Sequence, residues 1–121
     1  MRKVMILDYV LQEVIALEDV LKGAGYEVCL STGMSGVLAK FDYEKPDILL
    51  INPDMPNIDT DMLIETLHGT PTMSGMIIVL ICTGDPVAVE TYCRAMNVNG
   101  YYLVENGFSG IPLYLSKFYE T

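Results

Sequence analysis

Apolar residues in this chain fall into five short runs, and each run is followed by a polar turn and a stretch with helical spacing. Val4-Met-Ile-Leu7 stops at Asp8 and predicts a strand buried on both faces. Val10, Val14, Leu17, Leu21 and Ala24 then recur at the spacing of one helix face, with Gly23 and Gly25 as a stop signal. A second strand is predicted over Tyr26–Leu30, and a helix over Gly33–Phe41 with Met34, Val37, Leu38 and Phe41 on one face. Lys45-Pro46 ends that helix before a third strand, Ile48–Ile51. Pro53, Pro56 and Asn57 mark a loop. Asp59 or Thr60 can cap the next helix, which carries Met62, Leu63, Thr66 and Leu67. The β-branched run Met76–Cys82 predicts a fourth strand. Asp85 and Pro86 suit the N-cap and first position of a helix running to about Met96. A fifth strand is expected over Tyr101–Val104, and a short last helix shares Ile111, Leu115 and Phe118 on one face.

Strand and helix alternate five times with no linker, low-complexity segment or internal repeat, which predicts an α/β protein with a parallel sheet covered by helices on both faces. In such sheets ligands gather at the carboxyl ends of the strands. Those ends are Asp8-Tyr9, Asn52-Pro53-Asp54, Thr83-Gly84 and Glu105-Asn106.

Composition narrows the function classes. At 121 residues and 13.4 kDa, residues 1–121 are expected to form a single domain. The formal charge of −9, with seven scattered basic residues, argues against direct binding of a phosphate backbone. The longest apolar run, Met76–Cys82, is far short of the roughly 20 residues a membrane helix needs. Arg2 and Lys3 precede only four apolar residues before Asp8, so no signal peptide is read and a cytoplasmic location is expected. Cys29, Cys82 and Cys93 lack metal-ligand spacing and read as buried, reduced thiols. His68, the one histidine, sits late in a predicted helix, where a solvated or helix-end role fits better than catalysis.

The stretch KPDILLINPDMPNIDTDML, Lys45–Leu63, resembles the third strand, active loop and third-helix start of the receiver domain of bacterial response regulators. Met55-Pro56 and Asp59 fall at that family's spacing, while RKVMILD and GYEV add weaker agreement. The resemblance runs end to end and implies a flavodoxin-like, CheY-like (βα)5 fold with strand order 2-1-3-4-5. It also implies a two-component signalling role, and there the chain departs from the pattern. The phospho-acceptor aspartate, four residues before the proline, is replaced by Asn52, and an amide is no nucleophile toward a phosphoryl group. Of the acidic pair that holds Mg²⁺, Asp8 is kept and the second member is Tyr9. At the position of the family's lysine stands Glu105, or Val104 if the register is one residue earlier; no lysine lies between Lys45 and Lys117. The hydroxyl after the fourth strand is kept as Thr83, with Ile81 as the competing position. Thr60 replaces the glycine that usually follows Asp59. Phosphoryl transfer rests on positioning and charge neutralisation, and nucleophile, metal ligand and cationic partner are all altered.

The expectation is therefore a degenerate receiver, not an enzyme and without a cofactor, acting by phosphorylation-independent contact with protein partners. Mg²⁺ binding should be weak or absent, and any residual cation site would use Asp8 and Asp54. Asn52 and Asp8 also have plain structural uses, satisfying backbone groups and loop amides where strands end. Tyr102, or Tyr101 in the shifted register, aligns with the aromatic that changes rotamer when receivers switch; alternation puts one ring in the core and the other at the surface. With Tyr92, Tyr114 and Tyr119, they make the face of the fourth helix, fifth strand and fifth helix the expected interface, for a partner or a homodimer. The alternative from another class is a small-ligand or cation sensor using Asp8, Asp54 and Glu105.

Overall fold

The computed structural model describes residues 2–31, 33, 36–56 and 58–120. Five parallel strands, β1 (Lys3–Leu7), β2 (Glu27–Ser31), β3 (Ile48–Ile51), β4 (Ile77–Cys82) and β5 (Gly100–Leu103), form one sheet in the order β2-β1-β3-β4-β5. The helices between and after them are α1 (Leu11–Gly23), α2 (Val37–Glu44), α3 (Thr60–His68), α4 (Pro86–Met96) and α5 (Ile111–Ser116). This is the (βα)5 arrangement and strand order that the sequence implies.

The three inner strands are almost wholly buried, which is why they read as unbroken apolar runs. Alternate residues feed two cores. Met5, Leu7, Leu49, Ile51, Ile78 and Leu80 face Val37 and Phe41 of α2, Leu63 and Leu67 of α3, and Cys93 of α4. Val4, Ile6, Ile48, Leu50, Val79 and Ile81 face Val14, Leu17 and Leu21 of α1, and Ile111 and Leu115 of α5. The division follows from the strand order. The chain steps one way from β1 to β2 and the other way thereafter, so right-handed crossovers send α1 to one face and α2, α3 and α4 to the other.

Local chemistry sets the helix starts. Asp59 caps α3 by accepting from the Met62 N–H at 3.0 Å, and Asp85 caps α4 by accepting from Val87 at 3.2 Å, with Pro86 following. Thr60 is buried at the first position of α3, where its hydroxyl donates to the Pro53 carbonyl at 3.0 Å and ties the helix to the loop after β3.

Several expectations need correcting. The second helix starts at Val37 and runs on to Glu44, because Lys45 adopts a left-handed conformation that ends it; Met34 lies outside the described residues. In α3 the buried face is Thr60, Leu63, Ile64 and Leu67, while Met62 and Thr66 are exposed, a shift of helical phase. β5 begins at Gly100, one residue early. There the α5 tyrosine comes so close that a Cβ on Gly100 would collide with the Tyr114 hydroxyl. Cys29, on the edge strand β2, is half-buried; all three cysteines are free thiols. His68 is exposed, with Nε2 3.1 Å from the Met96 carbonyl at the end of α4, a helix-end contact.

Candidate functional site

The reversal in strand order falls between β1 and β3, and their carboxyl ends deliver Asp8 and Asn52 side by side. The Asn52 N–H donates to the Leu7 carbonyl at 3.0 Å, so the β1–β3 ladder itself sets the position of the asparagine. Asp8 is 1% exposed and Asn52 8% exposed. Their side chains meet: Asn52 Nδ2 donates to Asp8 Oδ1 at 3.0 Å. The same Oδ1 accepts the Tyr9 N–H at 2.7 Å and the Val10 N–H at 3.1 Å, bending the chain into α1. Asn52 Oδ1 accepts the Asp54 N–H at 2.9 Å. The asparagine thus links two loops with both ends of its amide, as a buried polar group requires.

Asp8 Oδ2 is buried and has no hydrogen-bond partner among the described residues. Glu13, a half-buried residue of the first turn of α1, lies near Asp8. Burial, then a hydrogen bond with Asp8, then the Asp8 charge raise the Glu13 carboxyl from its usual 4.5 to about 7. Sequence reading missed Glu13, whose only signal was its place five residues after Asp8, one turn into the helix.

This contact has a measurable consequence. Between about 4.5 and about 7 the native state holds a proton that the unfolded chain has released, so this group's contribution to stability falls as pH rises through that window. Allowing for partial exposure, the loss is about 1–2 kcal/mol. Glu13→Gln keeps a donor toward Asp8 at every pH. Chemical denaturation from pH 5 to 8 should show that variant with a flatter profile than the parent chain.

The pocket at these strand ends has a volume of about 180 Å³ and is lined by Tyr9, Glu13, Asn52, Asp54, Thr83 and Val104, among others. Tyr9 is 49% exposed. Asp54 and Thr83 are exposed and also line a second, larger groove between α3 and α4. Of the two registers for the end of β5, it is Val104 that lines the pocket; Glu105 is exposed in the short 3-10 turn Val104–Asn106 and does not line it. The expected trio Asp8, Asp54 and Glu105 is not assembled as one acidic wall, because β5 ends a residue early and the turn carries Glu105 outward.

Tyr101 and Tyr102 do lie on opposite faces, against the α3/α4 core and the α1/α5 core respectively. Neither is a surface ring: both are half-buried, since β5 is covered by helices on either side. Tyr102 packs edge-on against Tyr114 at 5.7 Å, and Tyr114 against Phe118 at 5.4 Å. The Tyr114 hydroxyl also accepts the Tyr101 N–H at 3.1 Å. The Tyr92 hydroxyl bonds Asp61, and the Tyr119 ring lies under the Arg2 guanidinium.

Mg²⁺, which the receiver fold implies, does not fit this donor set. Asp8 Oδ1 already accepts three N–H groups, one of them from Asn52, and Tyr9 offers a phenol. Among the described residues, no three His, Cys, Asp or Glu side chains are grouped so as to hold a metal ion. No described helix is long and apolar enough to cross a membrane.

No family model and no curated protein matches the sequence. Solved structures do match. A candidate response regulator of Chloroflexus aurantiacus is 22% identical, with 97% of this chain and 95% of that one covered and a TM-score of 0.85. The signal receiver domain of a DNA-binding response regulator of Colwellia psychrerythraea is 11% identical over both full lengths, with a TM-score of 0.86. The chemotaxis response regulator CheY4 of Vibrio cholerae is 18% identical over 98% of each chain, with a TM-score of 0.81. At these identities the likeness concerns architecture, and the fold is that of CheY-like response-regulator receiver domains.

Proposed function

We propose that this chain is a pseudo-receiver: a two-component-type signalling domain that works by contact with other proteins and takes no phosphoryl group. The observation that carries the reading is the bonding of Asn52. On a receiver scaffold, the position the resemblance assigns to the acceptor holds an amide that donates to Asp8 and accepts from the Asp54 N–H. Val104, an apolar residue, lines the same pocket. A growing negative charge there would meet no cation, and phosphoryl transfer depends on one.

Incubation with acetyl phosphate and Mg²⁺, followed by intact mass measurement, should leave the protein unmodified. A stable adduct on a pocket residue would overturn the proposal. For the partner surface, the face of α4, β5 and α5 remains open to contact through Val87 and Leu113, which are 71% and 68% exposed. Its tyrosines contribute less than their number suggests, because Tyr92, Tyr102 and Tyr114 are engaged within the domain.

The second reading, a small-ligand or cation sensor, has one observation in its favour: Asp8 Oδ2 is buried and unpartnered among the described residues. A melting temperature that rises on titration with a divalent metal or a nucleotide would favour it.

A further inference from the structure

Beside the pocket lined by Asn52, a groove of about 600 Å³ runs between α3 and α4. Ile58, Leu80, Ala88 and Val89 supply apolar walls and floor. Asp54, Asp59, Asp61 and Asp85, all exposed, also line it, and among the described residues the lining contains no lysine, arginine or histidine. The helix on one side is thinly packed: only Cys93 of α4 is buried along its 11 residues. Apolar surface fringed by four like charges suits a ligand that brings apolar stems and positive ends together, as lysine and arginine side chains do. A second copy of this chain is poorly suited to supply them, because its seven basic residues are scattered.

We propose that the α3–α4 groove docks a basic, amphipathic segment of a partner protein, with Lys or Arg heads at the aspartates and their stems over Ala88 and Val89. The proposal rests on the reading of the chain as a protein-contact module, and it places that contact beside, not on, the α4–β5–α5 face.

The test uses a short Lys/Arg/Leu peptide, its Glu/Leu counterpart and spermine as probes, titrated into ¹⁵N-labelled protein. The basic peptide should shift amides over residues 54–61 and 82–92, and raising salt from about 50 to about 300 mM should weaken it. Asp54→Asn with Asp61→Asn should weaken binding about tenfold. That pair leaves the caps Asp59 and Asp85 in place, and an asparagine at 61 can still accept from the Tyr92 hydroxyl. The charge-matched pair Asp19→Asn with Asp42→Asn, on α1 and α2, should bind as the parent does. Ala88→Arg, which fills the groove with a cation, should abolish binding.

Four results would overturn the proposal. The basic peptide fails to bind or shifts amides elsewhere; both charge-removal pairs weaken it equally; the Glu/Leu peptide or spermine binds the groove as tightly; or the protein self-associates through the groove. None of these touches the acetyl phosphate experiment, so this inference and the pseudo-receiver reading fail separately.

Discussion

Asn52→Asp should destabilise the domain by about 3 kcal/mol at pH 8, a fall in melting temperature on the order of 10 °C. The Nδ2 group sits 3.0 Å from Asp8 Oδ1, and aspartate would put a second acceptor there, within a site where both residues are almost fully buried. At an effective dielectric of about 20, two unit charges at that distance repel by about 5 kcal/mol, so part of the cost is relieved by protonation. Glu13 stands close enough to hydrogen-bond Asp8 and adds a third carboxyl. Lowering the pH to 5 should recover most of the loss, because one proton restores a donor between the two acids. Melting curves at pH 8 and pH 5 check both halves of the expectation; a variant as stable as the parent at pH 8 would show that the Asp8–Asn52 bond matters little. On the proposed pseudo-receiver reading, the same substitution should not bring efficient phosphorylation. Rapid Mg²⁺-dependent phosphorylation of the variant would mean that the rest of the site is competent.

Asp8→Ala is the second large effect, with an expected loss of about 3 kcal/mol in urea denaturation. The substitution removes the shared acceptor of Tyr9 N–H, Val10 N–H and Asn52 Nδ2, the last of them a buried donor. Asp8→Asn separates this role from charge. Its carbonyl oxygen can take the place of Oδ1 and keep all three bonds. That variant should lie within about 1 kcal/mol of the parent and lose part of the stability fall between pH 4.5 and 7. If Asp8→Ala and Asp8→Asn are equally destabilised, loop bonding is not what Asp8 does.

Both effects concern residues legible as sequence features. Asn52 was visible because it breaks a spacing: it stands four residues before Pro56, where the receiver pattern has its acceptor. Asp8 was visible because it ends an apolar run. Their mutual bond was not, since 44 residues separate them and only the β1–β3 ladder brings them together. Glu13 was not singled out at all, and burial together with its neighbour Asp8 is what raises its carboxyl. Glu105 and Val104 could not be ranked from sequence, because a slip of one residue at a strand end exchanges which side chain lines the pocket.

The elements were legible in the chain itself. Strands covered on both faces must be written as unbroken apolar runs, and caps such as Asp59 and Asp85 act within three residues of themselves, so both are one-dimensional signals. That Asn52 stands four residues before Pro56 is likewise a matter of residue identity. Tertiary structure alone decided the phase of α3, the inward engagement of the tyrosines and the carboxyl contact between Asp8 and Glu13. It also decided the alignment of Asp54, Asp59, Asp61 and Asp85 along one groove. Each depends on how helices from distant parts of the chain settle on a shared sheet, and no local pattern encodes that distance.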